Sequence, residues 1–146
     1  MTKIDFYILE GNSSNREQTA CRIAEKAYRL GNGVYIHTAD QGQAKRLDEL
    51  LWTFKQNSFV PHGIEGESPD PEAAVLISHK AELADSTQGH NRQVLINLAQ
   101  DIPLFFSSFE RVAEVIGQDS ENKASGRQRY KFYRDRGYSL DTHTLA

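Results

Sequence analysis

The 146-residue chain holds a single cysteine, Cys21, so no intramolecular disulfide can form. That usage fits a reducing cytosol and sets the expectation of a cytoplasmic protein. No stretch of about 18 apolar residues occurs, and no membrane span is expected. The opening Met1-Thr2-Lys3-Ile4-Asp5 lacks the apolar stretch and small-residue cleavage site of a secretory signal. Internal repeats and low-complexity tracts are absent too. What remains is ordinary for a soluble globular protein, 38% apolar and 25% charged. The length favours one α/β domain spanning residues 1–146, with a real hydrophobic core.

The signatures of catalysis are missing as well. A dinucleotide site needs spaced glycines after the first strand, but that turn reads Glu10-Gly11-Asn12-Ser13-Ser14-Asn15-Arg16. One glycine leaves no spaced pair for close approach of a pyrophosphate. Ser13, Ser14 and the following helix N-terminus can hold one anion, although a plain capped helix explains the same residues. No Gly-Lys-Ser/Thr of a phosphate loop occurs. The histidines are His37, His62, His79, His90 and His143; none pairs at the i, i+4 spacing that puts two metal ligands on one helical face. Cys21 sits mid-helix among alanines, where a small buried thiol is expected rather than a nucleophile. Asp48-Glu49 and Glu65/Glu67 read as solvated charges. No catalytic residue, cofactor or metal is expected.

Hydrophobic periodicity gives the architecture. Lys3–Leu9 is a nearly unbroken apolar strand, the mark of a parallel sheet covered on both faces. Ser14 and Glu17 make a capping-box pattern before a helix whose stripe is Ala20, Ile23, Ala24, Ala27 and Leu30. Gly31 and Gly33 bracket its exit. Val34–Thr38 is a second strand. Asp40 caps a second helix with Ala44, Leu47, Leu51 and Phe54 facing the sheet. Residues 55–72 read as irregular. Ala74–Ser78 and Gln93–Leu98 are further strands, a helical turn falls near Pro103–Phe109, and Val112–Ile116 is strand or helix. A last helix runs from Asp119 or Ser120 to about Arg136, with Phe132 as its natural core anchor. Gly137 ends it, and Tyr138-Ser139-Leu140 adds an edge strand. The alternation predicts a Rossmann-like three-layer α/β fold with a mainly parallel sheet and no nucleotide-binding fingerprint.

Charge is unevenly spread. The net charge is −3, yet Lys123, Arg127, Arg129, Lys131, Arg134 and Arg136 face only Asp135 and Asp141 after residue 122. The rest of the chain is acidic and would repel a nucleic-acid backbone. On the last helix Lys123, Arg127, Tyr130, Lys131 and Arg134 fall within about a 100° arc. The face is either simply solvated or a dock for an acidic peptide with an apolar end. A second surface involves Trp52, which projects away from its helix's apolar stripe, and the following Asn57-Ser58-Phe59-Val60-Pro61-His62 loop. The tryptophan either folds under that loop or anchors a partner.

Four blocks of residues carry a family resemblance. They are Phe6-Tyr7-x-Leu9; Ala44-x-x-Leu47-Asp48-Glu49-x-Leu51-Trp52; Ser58-Phe59-Val60-Pro61-His62; and Arg127-x-Arg129-Tyr130-Lys131-x-Tyr133-Arg134-x-x-Gly137-Tyr138. Together they resemble the chi-subunit family of the bacterial DNA polymerase III clamp-loader assembly, over nearly the whole chain. The resemblance implies a non-catalytic adaptor in DNA replication. One surface would bind the psi subunit through Trp52, Phe59, Val60, Pro61 and His62. Another would take the acidic, phenylalanine-ended C-terminal tail of single-stranded-DNA-binding protein on Ile116, Lys123, Arg127, Tyr130, Lys131 and Arg134. A repair helicase is implied as a competitor for the psi surface, with DNA contacted only indirectly. A single-stranded-DNA-binding module and a small nucleotide-binding enzyme are the alternatives. The segment Ser78–Asn91 matches the family loosely, and the C-terminus lacks a late aromatic that some relatives carry.

Overall fold

The apolar runs of the sequence become the inner strands of one sheet. A computed structural model describes residues 2–10, 15–54, 60–65, 74–80 and 92–145. In chain order the elements are β1 (Lys3–Leu9), α1 (Arg16–Arg29), β2 (Val34–His37), α2 (Gln41–Thr53), β3 (His62–Ile64), β4 (Val75–Ser78), β5 (Val94–Asn97), a 3₁₀ turn (Phe106–Ser108), β6 (Arg111–Ile116), α3 (Ser120–Asp135) and β7 (Ser139–Leu145). The seven strands lie in the order β3-β4-β2-β5-β6-β1-β7. Every pairing among the described residues is parallel.

The strands β2, β4 and β5 are buried at every position, as expected where helices cover both faces. Alternate residues feed two cores. Val34, Ile36, Val94, Ile96, Ala113 and Val115 meet α1 and α2. Tyr35, Leu95, Val112 and Ile116 meet the 3₁₀ turn and α3. The result is the three-layer α/β arrangement read from the sequence, and Val112–Ile116 resolves as strand.

Several local expectations are corrected. The cap of α1 is Asn15, whose side chain accepts from the Gln18 N–H at 2.7 Å; Ser14 lies outside the described residues. Leu30 is 71% exposed, because it follows the last helical residue and no longer obeys the 3.6-residue period. Residues 62–64, assigned to an irregular stretch, form a short strand on β4. Glu65 is buried, not solvated, and accepts from the Ser78 hydroxyl. The closing strand is seven residues long and pairs with β1 from Lys3 to Leu9. Gly137 takes φ +81° after α3, a conformation glycine adopts without strain.

Candidate docking site on the last helix

The side of α3 that meets the sheet is polar at its centre. Its buried residues are Gly126, Arg129 and Tyr133. Phe132, expected as the anchor, is only half-buried on the helix flank. It packs edge-on against Phe106 under the Arg136 guanidinium, 3.6 Å from the ring centroid. Tyr133 goes deeper because its hydroxyl has a partner there, donating to Glu114 at 2.8 Å. Glu114 is fully buried on β6 and also accepts from Arg129 Nε at 2.8 Å and from Asn97 Nδ2 at 3.0 Å. Burial pushes the Glu114 carboxyl up, while Arg129, Asn97 and Tyr133 pull it back. Burial, with the Glu114 charge, also holds the Tyr133 phenol well above its usual range. Arg129 further donates to the Gln100 carbonyl at 2.9 Å. It is therefore a structural charge and not part of the basic surface.

With α3 pinned this way, the flank toward β1 and β7 bounds a pocket of about 660 Å³. It is lined by Ile116, Lys123, Arg127 and Tyr130, four of the six residues named from the sequence. Phe6, Ile8, Leu9, Gln118, Gly126 and Thr142 add to the wall, and among the described residues Glu10 is the one carboxylate lining it. Tyr130 is 36% exposed and sets its ring edge-to-face on Phe6, with centroids 5.2 Å apart. Gly126 lets α3 approach β6: a Cβ there would stand 2.7 Å from Ile116 Cδ1. Lys131 and Arg134 are exposed on α3 outside this lining. Lys123, Arg127 and Lys131 form no ion pair with the described residues, and Arg134 reaches only its neighbour Asp135, at 3.4 Å. The pocket thus joins cations, unpaired among the described residues, to an apolar, aromatic wall.

Phe6, Ile8, Gly126 and Thr142 were not assigned to the site from the sequence, although Phe6 stands in one of the four family blocks. Period-two alternation puts Phe6 and Ile8 on one side of β1. Thr142 enters only because β7 pairs with β1, in register with Phe6, and that pairing leaves no local signal.

The second set of residues gathers at the opposite sheet edge. Trp52 on α2 is 57% exposed and packs edge-on against His62, centroids 4.8 Å apart. The His62 ring lies between carbonyls, Nδ1 2.7 Å from Val60 O and Nε2 2.9 Å from Asp48 O. Val60 is fully buried in the α1–α2 core and Pro61 half-buried. Phe59 lies outside the described residues.

At the carboxyl ends of the central strands, where this architecture usually takes ligands, the Arg16 guanidinium donates to the carbonyls of Val115 (3.1 Å) and Leu98 (2.6 Å). Among the described residues no cluster of metal-ligating side chains occurs, and no helix is long and apolar enough to cross a membrane.

A Rossmann-like parallel sheet, with a cation-bearing pocket between its closing helix and its edge, defines a three-layer α/β protein without a nucleotide-binding fingerprint. Residues 1–141 match the family described as DNA polymerase III chi subunit, HolC, and the chain belongs to that family. It is similar to DNA polymerase III subunit chi of Pseudomonas aeruginosa, 40% identical over 146 residues, covering 99% of this chain and 98% of the relative. Identity to DNA polymerase III subunit chi of Escherichia coli is 36% over 149 residues, with 99% of each chain covered. For Haemophilus influenzae it is 35% over 142 residues, covering 97% and 96%.

Proposed function

We propose that this protein is a non-catalytic adaptor of the replicative DNA polymerase III holoenzyme. It couples the clamp loader, through the psi subunit, to the acidic C-terminal tail of single-stranded-DNA-binding protein. Family membership supports the accessory role in replication. The observation that carries tail binding is the pocket itself. Lys123 and Arg127 stand without carboxylate partners among the described residues, beside an apolar wall of Ile116, Phe6 and the Tyr130 ring. A chain end bearing an aromatic side chain and a free carboxylate needs that combination. Arginine can grip the carboxylate through two parallel N–H bonds, and the ring fills the apolar half. Lys131 and Arg134 extend positive charge toward acids further up the tail.

The psi-binding surface is assigned to Trp52, Val60, Pro61 and His62, with Phe59 included on the family resemblance. An exposed tryptophan braced by a packed histidine suits an interface anchor. A repair helicase would compete for the same place.

Titrating a phenylalanine-ended acidic peptide into the protein tests the first assignment. Arg127→Ala should weaken binding by on the order of 1 kcal/mol, more where the contact is partly desolvated. Equal affinity for both proteins would remove the site. Trp52→Ala should abolish co-purification with psi while circular dichroism stays unchanged; continued tight association would discard that surface. A shift with naked oligonucleotide alone would favour direct DNA binding instead.

A further inference from the structure

The two edges of the sheet are treated differently. At one edge β3 has three residues, too short to template another strand. At the other, β7 has seven residues and is mostly exposed. Exposed edges of that length are normally blunted by proline, lysine or a bulge, because their unpaired backbone recruits other chains. The β7 sequence, Ser139-Leu140-Asp141-Thr142-His143-Thr144-Leu145, contains neither proline nor lysine. Its pairing with β1 runs through all seven residues without a bulge.

The direction of the open groups follows from the ladder. The Leu145 carbonyl accepts from the Glu10 N–H at 2.8 Å, toward β1. In a parallel strand each residue turns its N–H and C=O to the same side, and its neighbours turn theirs to the other. Residues 139, 141, 143 and 145 are therefore spent on β1. The N–H and C=O groups of Leu140, Thr142 and Thr144 point outward, and no described residue bonds to them.

This open row borders the cationic flank of α3. Thr142 lines the same pocket as Lys123 and Arg127. The pocket lies where β1 and β6 end, at Leu9, Glu10 and Ile116, and α3 runs back from there to the start of β7. The cations from Lys123 to Arg134 cover about 16 Å of helix, the length of about five residues of extended chain.

We propose that the acidic tail does not stop at the pocket but adds to β7 as an eighth, parallel strand. This rests on the reading of the pocket as a chain-end site. With the terminal carboxylate at Lys123 and Arg127, the chain upstream runs down the sheet edge beside Lys131 and Arg134. That polarity makes it parallel to β7. Leu140, Thr142 and Thr144 supply the main-chain bonds, and the α3 cations supply selection for acidic side chains. Charge complementarity and continuity with the pocket name this occupant over a second copy of the chain, whose own β7 edge lacks acidic residues beyond Asp141.

The probe is a short synthetic peptide of aspartates ending in phenylalanine, used with the full-length protein. Backbone amide exchange is followed by NMR with and without it. The amides of Leu140, Thr142 and Thr144 should become protected on binding, while those of His143 and Leu145, already in the ladder, change little. Single N-methylation along the peptide should weaken binding at alternate positions only, roughly five- to tenfold at each sensitive one. Thr144→Pro removes one outward N–H and should cost a similar factor, with His143 and Leu145 protection showing that the β1 ladder survives. If binding depends on Arg127 and on the free carboxylate, yet the three amides stay unprotected and the N-methyl scan is flat, the added strand is wrong and the pocket reading stands. If the peptide does not bind, both fall.

Discussion

At the residue scale, burial decides what each polar group does. His37 ends β2 inside the fold, with its ring edge-on to Phe105 and no hydrogen-bond partner for Nδ1 among the described residues. Burial, assisted by His79, lowers its pKa from 6.5 to about 4. The unfolded chain therefore binds one more proton than the folded chain between those values. Stability should be complete above pH 6.5 and fall as pH drops toward about 4, by on the order of 3 kcal/mol from this group. Urea midpoints measured across that window should decline less steeply in His37→Asn. Parallel declines in the two proteins would assign the pH dependence elsewhere. Cys21 is the complementary case: burial pushes its thiol up to about 12, as suits an inert packing group in the α1 stripe.

At the scale of elements, α3 is the part on which the site depends, and its attachment is unusual. An apolar anchor was expected, but the helix is fixed by a buried cluster in which Glu114 is surrounded by donors from Arg129, Tyr133 and Asn97. Such a pair contributes little against a well-packed apolar substitute, yet breaking it strands a charge. Arg129→Ala should therefore destabilise the fold by about 3–5 kcal/mol in chemical denaturation. Adding Glu114→Gln should recover part of that loss. A cost below about 1 kcal/mol, the range of exposed pairs, would contradict the buried-charge account. The geometry has a functional side as well. Gly126 and Tyr133 set how closely α3 lies on β6 and β1, and with it the width of the pocket between Tyr130 and Ile116.

At the scale of the whole molecule, the two proposed surfaces stand at opposite ends of the strand order. Trp52 and His62 lie by β3, and the α3 pocket lies by β1 and β7. Several interstrand spacings of about 4.8 Å put them roughly 25–30 Å apart. Substitutions so far apart, with no shared partners, act independently. Arg127→Ala should leave psi association unchanged, and Trp52→Ala should leave the tail-peptide titration unchanged. Cross-effects above about 0.5 kcal/mol would show that the sheet couples the two ends. The charge distribution fits this separation. Once Arg129 is committed to Glu114, the surface cations of the closing helix are Lys123, Arg127, Lys131 and Arg134 on one flank and Arg136 on the other.

The sequence by itself determined the order of the main strands and helices, though not β3 or the choice of strand at Val112–Ile116, because unbroken apolar runs and 3.6-residue stripes are local patterns with local causes. It also determined which side of α3 carries Lys123, Arg127, Tyr130, Lys131 and Arg134, since helical geometry alone fixes their angles. Only the tertiary structure decided that β7 pairs with β1, bringing Thr142, Phe6 and Ile8 to Ile116 and leaving an open edge beside the cations. It alone gave Arg129 its partner, because the carboxylate that claims it sits in an apolar-looking strand fifteen residues earlier. Which groups meet across a sheet depends on pairing between distant segments, and nothing within any one segment encodes that choice.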